Sequence, residues 1–538
     1  MSPNILIKIV AAVILLLLPG FYLSSPTSKS AKLLTTMLIA GYAISTRMDT
    51  YSILWSGLSV FFGDVYVSIG SILFTLAIRQ IQQNRRYARI NKLKSKFSFN
   101  DDPTSWKNMT VEQAQEIESN MAEWEFPRLF QFAWISDFLR TSTNPGVSRA
   151  LVRSGHMVNP DPMIEHERLQ TTVHLMSAMV AMEFRSATQS LVVSRINEHH
   201  HRYGSWINSD DVLYLIIHFS QSPVQWINAF GYRKLEAFEV QAMWVLWREI
   251  ACSMGVKYIP ENLEQANKWR ENFESTCRWR EDANEEAGMA MMNEIIYVVP
   301  SIFKPFARKL IVSILDEDIV HFCQLEKLSP SAVLRSLTYG VFRICSFFIR
   351  EFCFPRLSPY KRTPDAPNNR DTWNFGHTPY DTLPFFQERS LWNLFGYGAL
   401  ARRLYGIPMA SSKYFSAGIA IERMGALQNT AETQTAAEKK VRENAAVLEK
   451  APYGYRPAIG FQVGRLLPLV EGPSYGLEMN SFPKSAPLMP ASTERFEKKY
   501  ERRSVGSKLT VIEKAEDVVV FDNAGVKLSG IREAVLCP

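Results

Sequence analysis

The chain of 538 residues is long enough for two or three domains, or for one large helical core. Charged residues make up 21% and aromatics 12%, with 12 Trp and 32 Phe, a globular composition with a large apolar interior. The net charge of +7 is concentrated in Arg79–Lys96, which holds seven cations and no acid; this excludes a spread nucleic-acid surface and suits a membrane flank.

Three apolar runs open the chain. Ile5–Leu23, interrupted by Lys8, reads as a signal peptide or anchor. Leu33–Ser45 is too short to span a bilayer by itself. Leu58–Ile78 has 21 residues with one acid, Asp64, and leads directly into the basic segment. About 20 apolar residues cross a bilayer, and excess Lys and Arg stay on the cytosolic side. The expectation is residues 1–57 as N-terminal hydrophobic segments, 58–78 as a transmembrane helix and 79–97 as a basic juxtamembrane segment. The body after it then faces the cytosol. Asn108-Met-Thr is a glycosylation sequon, and a glycan there would reverse that orientation.

From Thr110 onward the pattern is helical. Thr110-Val-Glu-Gln113 predicts a capping box, on a helix ending at Phe126 ahead of Pro127. Glu165–Glu183 has apolar residues at helical spacing, and Arg168 and Thr172 share one of its faces. Spacing leaves open whether they form a site or a surface pair. In Arg195–Tyr203 three of the chain's nine histidines stand side by side. Val193, Ile196, His200 and Tyr203 fall on one helical face, and His201 on the polar one. Periodicity selects His200, or else His199, as the interior histidine, either as a core hydrogen-bonder or as a ligand.

Further helices are expected over Asp211–Gln221, closed by Ser222-Pro223, and over Glu236–Met254, Glu285–Val299, Pro305–Lys327 and Ala332–Phe352. Arg233 and Glu239 read as a structural ion pair, and Trp244 and Trp247 as core. No strand pattern precedes Gly425, and the chain has no P-loop, GxGxxG, GxSxG or HExxH motif. The six cysteines show no CxxC or metal-ligand spacing and read as buried thiols. Ala431–Lys450 is an Ala/Glu/Lys-rich helix with little apolar face. Residues 426–538 read as a peripheral, partly disordered tail, with a short strand pair around Asp517–Phe521.

Several of these stretches, in order, resemble the MpaB-like membrane-bound oxygenases and the rubber-cleaving latex clearing proteins. They are RYARINKLKSKF (86–97), MTVEQAQEIESNMAEWEFP (109–127), RINEHHHRYG (195–204), DVLYLIIHF (211–219), NAFGYRKLEAFE (228–239), PYDTLPFF (379–386), LWNLFG (391–396) and KYFSAGIAIERMG (413–425). The resemblance spans about residues 60–425. It implies an all-α fold, a single large helical haem-binding domain (98–425) with a latex-clearing-protein or globin-like core, holding one haem b.

By that resemblance, Arg195 and His200 occupy the family's Arg-x-x-x-x-His pattern. His200 is then the proximal ligand of the haem iron, His199 the fallback, and Arg195 a structural or propionate partner. Arg168 and Thr172 match the family's Arg-x-x-x-Thr pair beside dioxygen, and Thr171 stands where some relatives carry a lysine. A catalytic glutamate has no clear counterpart. The implied activity is O2-dependent cleavage of a C=C bond in an isoprenoid chain, in secondary metabolism at the endoplasmic reticulum membrane. The expected partners are a lipophilic substrate, O2 and membrane lipid, with no nucleic acid and no obligate protein partner. Peroxidase-like or hydroxylating haem chemistry, or a non-catalytic helical scaffold, are the competing readings.

Overall fold

The computed structural model describes residues 65–159, 161–377, 383–404, 406–425, 431–458 and 461, together with 520–521 and 527–528. The expected segments 1–57 and most of the tail lie outside these residues, as does the first part of the Leu58–Ile78 run. The fold is all-α, as expected. Its helices are α1 (Val65–Phe97), α2 (Val111–Ser119), α3 (Pro127–Thr141), α4 (Pro145–Arg153), α5 (Pro162–Ala181), α6 (Ala187–Tyr203), α7 (Ser209–Phe230) and α8 (Ala237–Ser253). They continue with α9 (Leu263–Thr276), α10 (Asp282–Ile295), α11 (Lys304–Val312), α12 (Glu317–Phe322), α13 (Ala332–Phe352), α14 (Leu391–Phe395), α15 (Tyr397–Leu404) and α16 (Ala431–Lys450). In the tail, β1 (Val520–Phe521) pairs antiparallel with β2 (Lys527–Leu528), where the sequence suggested a strand pair.

Local signals set many of these boundaries. Thr110 and Gln113 form the expected capping box at α2. That helix gives way at Ser119 to a π turn, Asn120–Glu125, before Pro127 opens α3. The π turn directs Glu125 inward, where it accepts from Tyr232 (2.7 Å) and from the Arg233 Nε (2.9 Å). Arg233 also pairs with Glu239, as expected, at 2.7 Å.

α7 is the central helix. It packs on α3, α8 and α9. Residues from all sides of it are buried, so burial on one face does not describe it. Around its midpoint the rings of Phe138, Phe219, Trp134 and Trp247 meet at centroid distances of 5.8–5.9 Å, and Trp134 Nε1 donates to the Phe219 carbonyl.

Three expectations change. Ser222-Pro223 does not close a helix: α7 runs on through Pro223 to Phe230. Proline costs one backbone hydrogen bond, and here both neighbouring turns are clamped by burial against α3 and α8. Pro305–Lys327 divides into α11 and α12: Asp316, extended at the start of α12, gives its carboxylate to Arg140 and makes no side-chain cap. Finally, α16 is no peripheral element. It packs along α6 and buries Ala437, Val441, Ala445 and Leu448. Alanine scores low as an apolar residue, yet its small side chain lets two backbones approach closely, so this face was hard to see in the sequence. Arg185 donates to the Leu448 and Pro452 carbonyls, which extends the body of the fold past residue 450.

The basic segment is partly internal too. Arg86 is buried, with its guanidinium 4.4 Å from the Tyr232 ring centroid and a hydrogen bond to the Ile349 carbonyl. Arg79, Arg85, Lys92 and Lys96 remain exposed.

Candidate active site

α5 and α6 form an antiparallel helical hairpin whose ends are set by short-range chemistry. Asp161 caps α5 through the Met163 N–H, ahead of Pro162 at the first helical position. Ser186 caps α6 through the Gln189 N–H, and Gly204, at φ +52°, ends it. The turn between them has Phe184 at its centre. Arg168 and His200 each lie sixteen residues from it, so antiparallel packing sets them level with one another.

At that level the hairpin faces a cavity of about 180 Å³ in the space a water centre can occupy. One water needs only ~10–15 Å³ by the same measure, so this is a chamber for a larger group. α3, α4, α7 and α8 supply apolar walls, including Phe138, Leu151, Ile216, Phe219 and Trp247. α5 adds Leu175, Met176 and Met179, whereas Met182, the third methionine of that run, is buried but does not reach the cavity. The polar groups come almost entirely from the hairpin: Arg168, Thr171, Thr172, His199, His200 and Tyr203.

His200 and His199 differ in what their nitrogens do. His199 Nε2 lies 3.0 Å from the Met424 carbonyl, and its Nδ1 accepts from Arg202 at 2.8 Å. Both nitrogens are engaged. Gly425 lies against the same ring at φ +88°, and a Cβ there would stand 2.7 Å from Nε2. His200 Nδ1, by contrast, is buried with no hydrogen-bond partner. Burial lowers the His200 pKa to about 4, and the Arg168 charge adds to the shift. The ring is neutral at physiological pH, the state in which imidazole binds iron.

Arg168 donates to the Thr172 hydroxyl, which in turn donates to the Arg168 carbonyl at 3.0 Å. Burial pushes the Tyr203 phenol up, but the Arg168 charge and hydrogen bonds with Arg168 and Ser154 bring it net below its ordinary value. Thr171 also presents a buried hydroxyl without a partner. Asp211 reaches the same wall, where it caps α7 with Asn208 and accepts from Asn144 at 2.7 Å.

Arg195 is elsewhere. It is fully buried on the far side of α6, with Nε 2.8 Å from the Met424 carbonyl and Nη1 2.8 Å from Glu198. Five positions along a helix turn a side chain about 140° away, so Arg195 and His200 diverge while Arg195 and His199 share a face. The structure therefore gathers Arg168, Thr172, His199 and His200 at the cavity and leaves Arg195 out of its wall. Tyr203 was visible in the sequence as a residue on the His200 face, though nothing there assigned it a role. Phe461, whose ring is 5.9 Å from His200, carried no signal at all because it comes from beyond α16.

Among the described residues no group of three or more His, Cys, Asp or Glu is arranged to hold a metal ion through protein ligands alone. A porphyrin brings four nitrogens of its own and needs one histidine. A neutral, half-buried imidazole whose Nδ1 is buried and uncommitted, on an apolar cavity, fits that requirement.

Residues 128–347, from α3 into α13, match the family model described as ER-bound oxygenase mpaB/B'/Rubber oxygenase, catalytic domain. The chain is similar to ER-bound oxygenase mpaB' of Penicillium brevicompactum, 26% identical over 367 residues, covering 63% of this chain and 83% of that protein. It is also similar to ER-bound oxygenase mpaB of Penicillium roqueforti, 27% identical over 248 residues (43% and 82% covered). With mpaB of P. brevicompactum it shares 26% over 345 residues, covering 60% and 79%.

Proposed function

The chain carries a catalytic domain of the mpaB/rubber oxygenase family, and from that premise we propose a membrane-bound, haem-dependent oxygenase that cleaves a C=C bond in an isoprenoid side chain. The observation that carries this reading is His200: half-buried, neutral, with its Nδ1 buried and unpartnered, on an apolar cavity that also holds the Arg168–Thr172 pair. His200 would hold the iron of haem b, and haem when bound supplies the means to activate O2. His199, the fallback, has both nitrogens engaged with Met424 and Arg202.

The chain's own residues have three tasks. The apolar walls exclude water and accept a hydrocarbon chain, which supports a lipophilic substrate. Arg168, held by Thr172, fixes a positive charge on the wall and stabilises negative charge as it develops. Tyr203, hydrogen-bonded to Arg168, holds a proton beside that charge. Cleavage of C=C to two carbonyls takes up both atoms of O2 and needs no external reductant. Leu58–Ile78 would anchor the chain in the endoplasmic reticulum membrane with the domain in the cytosol, where a substrate dissolved in lipid is at hand.

The test is the visible spectrum of the detergent-solubilised full chain expressed with haem supplied. A Soret band is expected, and His200→Ala is expected to lose it. Absence of the band from the parent chain overturns the haem reading, and full haem content in His200→Ala moves the ligand elsewhere. O2 uptake that yields two carbonyl fragments separates cleavage from hydroxylation, which leaves the carbon skeleton whole.

A further inference from the structure

α13 is, among the described residues, long and apolar enough to cross a membrane by length and composition. It is nevertheless committed to the domain along one side. Tyr339 belongs to a small core with Trp226, Phe230 and Ile314, Phe342 packs against it, and Ser346 Oγ donates to the Gly231 carbonyl. Its other side is bare. Val333, Leu337, Val341 and Ile344 recur at helical spacing and are 54–68% exposed. α11 lies beside α13, joined to it through Ser313 Oγ and Thr338 Oγ1 at 3.1 Å, and it exposes Phe306 and Leu310 of its own. A large apolar patch on a folded domain marks an interaction site.

The charges indicate what covers it. Across Ser301–Val312 and Ala332–Arg350 there are six cations (Lys304, Arg308, Lys309, Arg335, Arg343 and Arg350) and no acid; Arg335 is spent on Glu317 and Arg350 on Glu351, so the lipid contact falls to Lys304, Arg308, Lys309 and Arg343. The end of α13 is fixed in place against α1. Glu351 pairs with Arg79 at 2.7 Å, and Arg86 donates to the Ile349 carbonyl at 2.6 Å. Arg79 is the first residue after the apolar run Leu58–Ile78. The last turn of α13 is thus tied to the level at which the anchor would leave the bilayer.

We propose that the catalytic domain makes a second membrane contact, laying the exposed face of α11 and α13 into the headgroup layer with the flanking cations against anionic lipid. An apolar stripe bordered by Lys and Arg is the arrangement that binds in the plane of an interface, and a helix with its inner side spent on a core lies on a bilayer instead of crossing it. This inference rests on the membrane-bound reading above. It adds that the domain is held by two points and so keeps a fixed attitude to the lipid.

Cys345, exposed and four residues beyond Val341, serves as a native reporter. The full chain carrying Cys353→Ser and Cys537→Ser is labelled there with an environment-sensitive fluorophore; Cys252, Cys277 and Cys323 are buried. The control carries Cys345→Ser and Lys268→Cys in addition, placing the label on α9. In vesicles of phosphatidylcholine with phosphatidylserine, the Cys345 label is expected to lose emission to doxyl-labelled lipid and to resist iodide, and the control to do the reverse. Phe306→Glu with Leu337→Glu is expected to return Cys345 to iodide quenching without releasing the chain.

Iodide quenching of Cys345 equal to the control overturns the proposal. So does shielding from both quenchers, which assigns the face to protein: to a second copy if dilution relieves it, to residues 1–64 if it does not. Undiminished lipid quenching in phosphatidylcholine alone removes the role of the cations. Failure of the anchor is read separately, as release of the parent chain by an alkaline carbonate wash.

Discussion

Burial decides the titration of His218, with a consequence for stability. It sits on α7 with Nε2 3.3 Å from Glu274, and burial, reinforced by the Arg140 charge, lowers its pKa to about 3. The ordinary value is near 6.5. Between those values the unfolded chain binds a proton that the folded chain refuses. Stability from this residue is therefore complete above pH ~6.5 and is lost as pH falls toward 3. Burial raises the Glu123 and Asp137 carboxyls to about 7, and these act in the opposite direction, so the net slope of the parent chain is a sum. Comparison with His218→Gln isolates the histidine. The urea midpoint of the parent is expected to fall more steeply than that of the variant between pH 6.5 and 4.5. The two stabilities diverge by at most about 1.4 kcal/mol per pH unit. Parallel curves would show that His218 takes up a proton in the folded state. Residue chemistry also separates the adjacent histidines, since His199 has two partners and His200 Nδ1 has none.

Among the elements, the α5–α6 hairpin holds the candidate site and α16 holds the hairpin. Leu448 is 3% exposed on α16, and its carbonyl accepts from Arg185 in the turn between α5 and α6. Beyond it, Phe461 approaches the His200 ring. Leu448→Ala removes buried methyl groups and leaves a cavity, with an expected loss of about 2–5 kcal/mol. Equilibrium urea unfolding of the full chain measures it. A midpoint unchanged from the parent would show that α16 is not docked in solution. The strap at Met424 and Gly425, ion-paired to α16 through Arg423–Glu438 and Glu422–Arg442, acts with it: one carbonyl receives both Arg195 and the His199 ring, which fixes α6 in rotation about its axis. Arg195 thus earns its burial as a clamp on the helix, away from the cavity it was expected to share.

At the scale of the whole molecule, the membrane-bound reading proposed above fixes an orientation for the domain, and Asn108 tests it. The residue is exposed within an Asn-Met-Thr sequon just after α1. A domain in the cytosol never meets the glycosylation machinery, so the full chain expressed in a eukaryotic host is expected to migrate identically with and without a deglycosylating enzyme. A mobility shift abolished by Asn108→Gln would place the domain on the lumenal side. The seven cations of Arg79–Lys96 set this expectation, and the structure refines it: Arg86 is spent on the Tyr232 ring and the Ile349 carbonyl, so fewer than seven face the lipid.

Helical class, the Thr110 cap, the Arg233–Glu239 pair and the histidine face were all legible in the sequence, because each depends on residues within two turns of one another. The hairpin's own spacing likewise contains the levels of Arg168 and His200. What the sequence could not display were relations between distant segments. Pro223 survives inside α7 because neighbouring helices clamp it, and α16 docks through alanines whose value lies in what they let approach. The bare side of α13 was hidden for the same reason: its apolar residues recur all round, and only the packed neighbours reveal which of them remain uncovered. Local hydrogen bonds and side-chain period are written within a few residues, whereas burial depends on which helix arrives alongside.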